Sequence, residues 1–350
     1  MNETSANPWH NKRVLITGAC GTVGKELLRQ VVARDPAEVI GLDNNESDLF
    51  FLNESYRDQP QVRFYLGDLR DRDTLSNHMR GIDLVLHSAA LKHVILCEEA
   101  PRNAVQTNIL GTQNVIDAAS ANSVERVLFT SSDKAVNPTN VMGTSKLMGE
   151  RLMTAANAHR RGDGPIFAST RFGNVLGSRG SVIPLFKRQI AQGGPVTLTD
   201  PKMTRFIMTL KEAVRLVMDS IFLARGGEVF VTKMPIVCIA DLAAVMIEAV
   251  APRYGFEPAQ IEIREIGSKA GEKLYEELVN DEETRRTVEL PNYFVVLPAF
   301  QSVYEQIEYR YPGMADINLD QPYNSAVGRP LPRSELHDYL VTHNLLGDES

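Results

Sequence analysis

The sequence predicts an α/β fold, a doubly wound parallel sheet followed by a smaller α/β region toward the C-terminus. Three observations carry this. Short β-branched runs alternate with amphipathic helical patterns from Arg13 to about Arg171. A glycine-punctuated turn leads directly from the first run into the first helix. After Arg171 the alternation gives way to Gly/Pro-punctuated segments. Strands alternating with helices imply a parallel sheet covered on both faces, and right-handed crossovers place ligands at the carboxyl ends of its strands.

The expected strands are RVLIT (13–17), EVIGL (38–42), VRFYL (62–66), DLVLH (83–87), RVLFT (126–130) and IFAST (166–170). Between them, stretches such as GKELLRQVVARD and NAVQTNILGTQNVIDAAS have the spacing of surface helices. Further helical patterns lie at about 210–225 and 239–250, and RSELHDYLVTH reads as a short terminal helix. Residues 1–172 form the expected sheet domain, with a later segment at about 206–240 packing back on it. Residues 173–350 form mainly a ligand-binding region and C-terminal extension.

Composition excludes some classes. A net charge of −7 argues against a nucleic-acid or anionic-membrane surface. Cys20, Cys97 and Cys238 are far apart and lack CxxC spacing, which suggests a reduced compartment rather than a disulfide framework. There is neither a signal-like apolar stretch near residue 1 nor a run of eighteen apolar residues later, so a cytoplasmic protein with no membrane partner is expected. The histidines show no HxxxH or HxH spacing, and no catalytic metal is expected.

VLITGACGTVGKELL places Gly18, Gly21 and Gly24 between the first strand and its helix, with Thr22 and Val23 among them. Missing side chains allow a tight turn and the close approach of a pyrophosphate to a helix N-terminus, where free N–H groups favour anions. The spacing GxxGxxG resembles that of short-chain dehydrogenases. Asp43, with Asn44 beside it, ends the second strand where a carboxylate can hold adenosine ribose hydroxyls. Neither LDNNES nor the glycine turn offers a cation for a 2′-phosphate, so NAD is favoured over NADP. Asp68 and Leu69 follow the third strand, positioned for the adenine. Ala89 and Ala90, in HSAALKHV, are small where a backbone must pass the cofactor.

Ser131 and Ser132 follow the fifth strand, and Lys146 opens a helix from which it could reach a nicotinamide ribose. Four residues before that lysine, a dehydrogenase of this layout carries a tyrosine that removes the alcohol proton. Here the position is Met142, whose thioether cannot exchange a proton. Asp133 and Lys134 offer a replacement acid–base pair, suited to removing a proton at one carbon while protonating a leaving group at its neighbour. That use calls for a raised aspartate pKa and a depressed lysine pKa.

TSSDKAVNPTNVMGTSK, AALKHV, RFGNVLGSRGSVIPLF and GEKLYEEL resemble the UDP-N-acetylglucosamine 4,6-dehydratases, extended short-chain dehydrogenase/reductases with a Rossmann fold that serve bacterial polysaccharide synthesis. The resemblance runs from about residue 11 to 300, and implies that Met142 marks a subfamily. It implies an NAD-dependent lyase with a redox-neutral cycle. Hydride leaves carbon 4 of the hexose, water is eliminated across carbons 5 and 6, and hydride returns at carbon 6. Lys134 would remove the carbon-5 proton, Asp133 would protonate the leaving hydroxyl, Ser132 would bind the carbon-4 oxygen and Lys146 would position the cofactor. The base for the carbon-4 hydroxyl is open, with Asp133, directly or through a water in the space of the missing tyrosine ring, as the suggestion.

For the UDP-sugar, Asn174, Arg179 and Arg205 are candidate sugar or phosphate contacts, since guanidinium groups bind phosphate bidentately. Lys92 near the cleft is another. Lys269 and Glu272 lie in GSKAGEKLYEEL, and the resemblance implies that Glu272 holds the uridine ribose. Relatives usually read R-P-G-E-K here, so Lys269 and Ala270 depart from the pattern. A homo-oligomer is expected from the apolar face of the helix after Arg102. Three readings stay open beside the dehydratase: one that also inverts carbon 5, a UDP-hexose 4-epimerase, and a silent NAD-binding sensor.

Overall fold

The computed structural model describes residues 7–158, 164–177, 181–267, 273–300, 307–315 and 319–347. The six apolar runs form strands β1 (Arg13–Thr17), β2 (Glu38–Asp43), β3 (Val62–Leu66), β4 (Leu84–His87), β5 (Arg126–Thr130) and β6 (Ile166–Arg171). All six pair in parallel, in the order β6-β5-β4-β1-β2-β3. Strands buried on both faces need continuous apolar runs rather than alternation, and β1, β4 and β5 have them. The strand order reverses at β1 and β4. Connections there depart to opposite sides, which opens a crevice at the carboxyl ends.

Helices cover both faces. Thr22–Val32 and Leu210–Leu223 bury Leu27, Leu28, Val214 and Val217 on one side. Gly111–Ala121 and Val141–Ala158 bury Val115, Ile116 and Met153 on the other. The helical patterns expected at 210–225, 239–250 and the C-terminus match Leu210–Leu223, Ile239–Val250 and Arg333–Thr342.

After Arg171 the chain returns to the sheet. Val229–Thr232 lies parallel beside β6. Tyr293–Val296 and then Thr287–Glu289 add antiparallel strands, making nine among the described residues. Sequence had named only 206–240 as packing back. VFVT and YFVV are each buried at all four positions, the burial of inner strands. A second core, with Phe186, Ile190, Leu242, Met246, Leu336 and Leu340, belongs to the smaller region. There Asn174–Val175, Thr204–Met208 and Ile236–Cys238 form a three-stranded sheet.

One buried cation ties the two regions together. Arg171, at the end of β6, pairs with Glu150 of the helix Val141–Ala158 and with Glu283, and donates to the Leu278 carbonyl. Among the described residues no helix is long and apolar enough to cross a membrane.

Candidate active site

The glycine turn has the geometry of a dinucleotide cradle. Gly18 has φ +73°, and a Cβ there would sit 2.7 Å from the Ala89 backbone. A Cβ on Gly24 would overlap the Gly18 carbonyl, so the helix can approach the turn only without side chains. Gly21 caps the helix Thr22–Val32 with no side-chain hydrogen bond and no acidic residue follows in the first turn, which leaves its N–H groups open to an anion. Thr22 and Val23 are half-buried, and Ala89 and Ala90 are half-buried where the chain leaves β4. These residues fit a dinucleotide pyrophosphate.

Asp43 stands at the end of β2 as expected. Its Oδ2 accepts the Cys20 N–H at 2.9 Å and its Oδ1 accepts the Asn45 N–H at 3.0 Å, fixing the carboxylate beside the turn. The Cys20 thiol also bonds the carboxylate, which keeps acceptor capacity for a ribose hydroxyl. Asn44 bonds Asp68, which is also gripped by Arg70 at 2.9 and 2.5 Å. Arg70, more than the other groups around it, holds the Asp68 carboxyl below the usual carboxylate range. The adenine contact expected of Asp68 therefore competes with an ion pair that local sequence did not reveal. Leu69 is buried, and its carbonyl accepts from Asn114.

His87 is a packed histidine. Its ring lies between Thr17 Oγ1 (2.8 Å) and Thr112 Oγ1 (3.1 Å), and burial lowers its pKa to about 3, so it stays neutral. Lys146 is buried too. Its Nζ donates to the Thr130 carbonyl at 2.8 Å and lies 4.7 Å from the centre of the Phe129 ring. Burial lowers its pKa to about 8, with Glu150 opposing. Asn108 was not anticipated. It sits in a π-helical turn, Val105–Leu110, and donates to Ser145 Oγ and the Leu91 carbonyl while accepting the Leu91 N–H. It thus fastens the loop after β4 to the helix that carries Lys146.

Met142 is buried with Cys97 and Ala104, packed by Val94 and Val141. It is a hydrophobe in an apolar cluster and is not among the residues that line the neighbouring cavity.

The acid–base pair is present. Ser132 caps a short 3₁₀ turn, Asp133–Ala135, and its hydroxyl donates to Asp133 Oδ1 at 2.6 Å. Lys134 Nζ lies 3.2 and 3.0 Å from the two Asp133 oxygens. The expected tuning is reversed, however. Burial raises the Asp133 pKa, but the Lys134 ammonium and the Ser132 hydroxyl outweigh it and hold the carboxyl below its ordinary value. Burial likewise opposes the Lys134 charge, yet the Asp133 and Glu276 carboxyls keep its pKa above normal. At rest the pair is carboxylate and ammonium, because mutual attraction at 3 Å exceeds desolvation.

Asp133 and Lys134 open on a cavity of about 610 Å³. Its walls include Asn174, Arg205, Tyr275 and Glu276. Asn174 donates to Glu276 Oε1 at 2.5 Å. Arg205 was expected as a phosphate clamp. Its guanidinium donates to the carbonyls of Thr204, Lys273 and Leu274 and lies 3.4 Å from Glu276 Oε1, so it anchors the wall of the cavity. Lys92 is exposed and precedes His93, which lines the cavity. Arg179, Lys269 and Glu272 lie outside the described residues.

The family model described as polysaccharide biosynthesis protein matches residues 14–298. The chain belongs to this family. A UDP-N-acetylglucosamine 4,6-dehydratase (inverting) from Campylobacter jejuni is 37% identical over 84% of this chain and 85% of its own length. A UDP-glucose 4-epimerase from Rickettsia canadensis is 37% identical over 97% of this chain and 98% of its own. Among solved structures, Pen from Bacillus thuringiensis superposes with a TM-score of 0.87 at 42% identity, covering 96% of this chain and 99% of that one. A dTDP-glucose 4,6-dehydratase from Streptomyces venezuelae, solved with NAD, has a TM-score of 0.65 at 25% identity, covering 75% and 86%. The polysaccharide biosynthesis family thus places the chain among enzymes that modify nucleotide sugars with a nicotinamide dinucleotide, on an extended short-chain dehydrogenase/reductase fold.

Glu276 also escaped the sequence reading. It lies in the stretch GEKLYEEL, beside Glu277, and nothing local separates the two glutamates. In the fold Glu277 pairs with Lys273, whereas Glu276 is 5% exposed and turned to Asp133.

Proposed function

We propose that the protein is an NAD-dependent 4,6-dehydratase of UDP-N-acetylglucosamine, producing a UDP-4-keto-6-deoxy sugar. The observation that carries this reading is an acid–base pair at the carboxyl end of β5, a buried Asp133 with a half-buried Lys134, where the tyrosine position holds a packed methionine. NAD in the glycine cradle supplies hydride acceptance at carbon 4 and its return at carbon 6. Asp43 holds the adenosine ribose and Lys146 the nicotinamide ribose.

The ion pair suits elimination through its other tautomer. A proton shift across the 3.0 Å contact turns carboxylate and ammonium into carboxylic acid and amine. Lys134 as amine takes the carbon-5 proton, acidified by the neighbouring ketone, and Asp133 as acid protonates the departing carbon-6 hydroxyl. Both then return to the charged forms that attraction favours. Ser132 Oγ, 2.6 Å from Asp133 Oδ1, holds the carbon-4 oxygen and links its proton to Asp133. Asn174, Arg205 and Tyr275 face the nucleotide sugar in the cavity.

Purified protein given UDP-N-acetylglucosamine should yield a nucleotide sugar lighter by one water and carrying a ketone, detected by mass spectrometry after hydrazide capture. A 4-epimerase is the second reading, supported by the full-length likeness to the Rickettsia protein. It needs no acid at carbon 6 and leaves the pair without a task. Formation of UDP-N-acetylgalactosamine with no loss of water would establish it.

A further inference from the structure

The resting ion pair leaves one proton without a place. Oxidation at carbon 4 releases the hydroxyl proton. If Asp133 keeps it, Asp133 is neutral while Lys134 is still ammonium, and no base remains for carbon 5. A third group must take that proton before elimination and give it back afterwards.

We propose that Glu276 is this proton store, acting through Asp133; the proposal rests on the dehydratase reading and deepens it. The geometry is that of two carboxyl groups on one cavity, Asp133 held by the Lys134 ammonium and Glu276 with the Arg205 guanidinium at 3.4 Å. Both are 5% exposed and line the same cavity. Lys134 Nζ sits on the two Asp133 oxygens, at 3.0 and 3.2 Å. Glu276 is fixed from the opposite wall, with Oε1 accepting from Asn174 and Oε2 accepting the Phe206 N–H at 3.0 Å. The ionisable groups facing it are Asp133 and Lys134 from the 3₁₀ turn and Arg205 from the strand Thr204–Met208. Its chain neighbours Lys273 and Glu277 pair with each other. Burial, then the Asp133 charge, raises Glu276 to about 7. It thus exchanges a proton readily near neutrality, whereas Asp133 is held low.

The protons balance. The carbon-4 hydroxyl proton passes from Ser132 and Asp133 to Glu276, leaving the Asp133–Lys134 pair in its resting state. Elimination through the tautomer moves the carbon-5 proton to Lys134 and the Asp133 proton onto the leaving hydroxyl, which departs as water. Lys134 then protonates carbon 5 as the sugar is reduced at carbon 6. Glu276 returns the stored proton through Asp133 to Lys134, and the starting state is restored.

Glu276→Gln keeps the shape and the Asn174 contact but cannot store a proton. Single-turnover formation of bound NADH in the wild type should rise with pH through about 7. The variant should lose that limb and fall by about 100-fold, with UDP affinity unchanged, and Glu276→Asp should restore a limb. A folded Gln variant that retains the limb and a rate within about threefold of wild type overturns the proposal. Should the variant fail to fold, infrared difference spectra of wild-type protein carrying ¹³C-labelled glutamate at position 276 alone decide the point, since Glu228 is a second buried glutamate with a raised pKa. A buried glutamic-acid carbonyl band that disappears through about pH 7 supports the store, and its absence refutes it. Wild-type protein that binds UDP-N-acetylglucosamine without forming a keto sugar overturns the dehydratase reading instead, while the infrared result still decides whether Glu276 carries the proton.

Discussion

Two buried charge clusters bracket the end of the sheet, and their difference separates structure from chemistry. At β6 the Arg171 guanidinium meets Glu150 at 2.8 and 2.6 Å, Glu283 at 2.7 and 2.8 Å and the Leu278 carbonyl at 3.0 Å. These contacts match the five donors of the guanidinium fork, and all three side chains are 2–3% exposed. At β5 the Lys134 ammonium lies on Asp133, the Arg205 guanidinium lies 3.4 Å from Glu276, and both carboxyl groups face a cavity. A fork can satisfy two carboxylates at once, but an ammonium that has settled on Asp133 cannot do the same for Glu276. Burial raises Glu283, yet Arg171 outweighs it and holds it low, whereas Glu276 is pushed up to about 7. Donors matched one for one to acceptors make the first cluster a clamp between regions. A carboxyl raised to about 7 beside one held low gives the second a proton to move.

The sharpest way to break this contrast is to remove the fork. Arg171→Met strips the buried Glu150 and Glu283 of their shared cation, leaving Glu283 only Arg286 at 3.6 Å and the Asn280 N–H, and should cost about 3–5 kcal/mol, read as a lowered urea midpoint at unchanged slope. Asp133→Asn attacks the other cluster. It should reduce bound-NADH formation and keto-sugar production together by about 10²–10⁴-fold; NADH that still forms at the wild-type rate would remove Asp133 from the first step.

Stability against pH should show opposite slopes. Glu276 holds its proton more tightly folded than unfolded, so stability falls as pH rises from the ordinary value of 4.5 through about 7, by on the order of 3 kcal/mol. Glu283 is depressed, so its contribution is present above the ordinary glutamate value and is lost as pH falls through its folded pKa. Melting curves across pH should therefore flatten on the neutral side in Glu276→Gln and on the acid side in Glu283→Gln. The smallest change expected is Met142→Leu. A volume-conserving swap in an apolar cluster should cost less than about 1.5 kcal/mol and leave turnover intact. A large loss of turnover would give Met142 a chemical part after all.

Much of the fold could be read from local pattern. Fully buried parallel strands must be continuous apolar runs, and the glycine turn must be empty of side chains, so RVLIT and GACGTVG announce themselves. The pairing at the site could not be read in that way. Asp133 and Lys134 were identifiable as ionisable neighbours, but the direction of each shift depends on a 3.0 Å contact and on a carboxyl brought in from residue 276. Arg171 reads in sequence as the end of a strand, and its partners come from a helix before it and a turn far after it. Arg70 escaped because its target, Asp68, shares its loop, where sequence shows adjacency but not which way a side chain folds back.

The central claim is that an acid–base pair, not a tyrosine, drives an elimination here. It is tested most directly by proton NMR of UDP-N-acetylglucosamine turned over in deuterated water. Dehydration through Lys134 predicts a 4-keto-6-deoxy product with solvent deuterium at carbon 5 from the first turnovers, and the configuration there tells retention from inversion. A product epimeric at carbon 4, with its carbon-6 hydroxyl and its carbon-5 proton both retained, would contradict it.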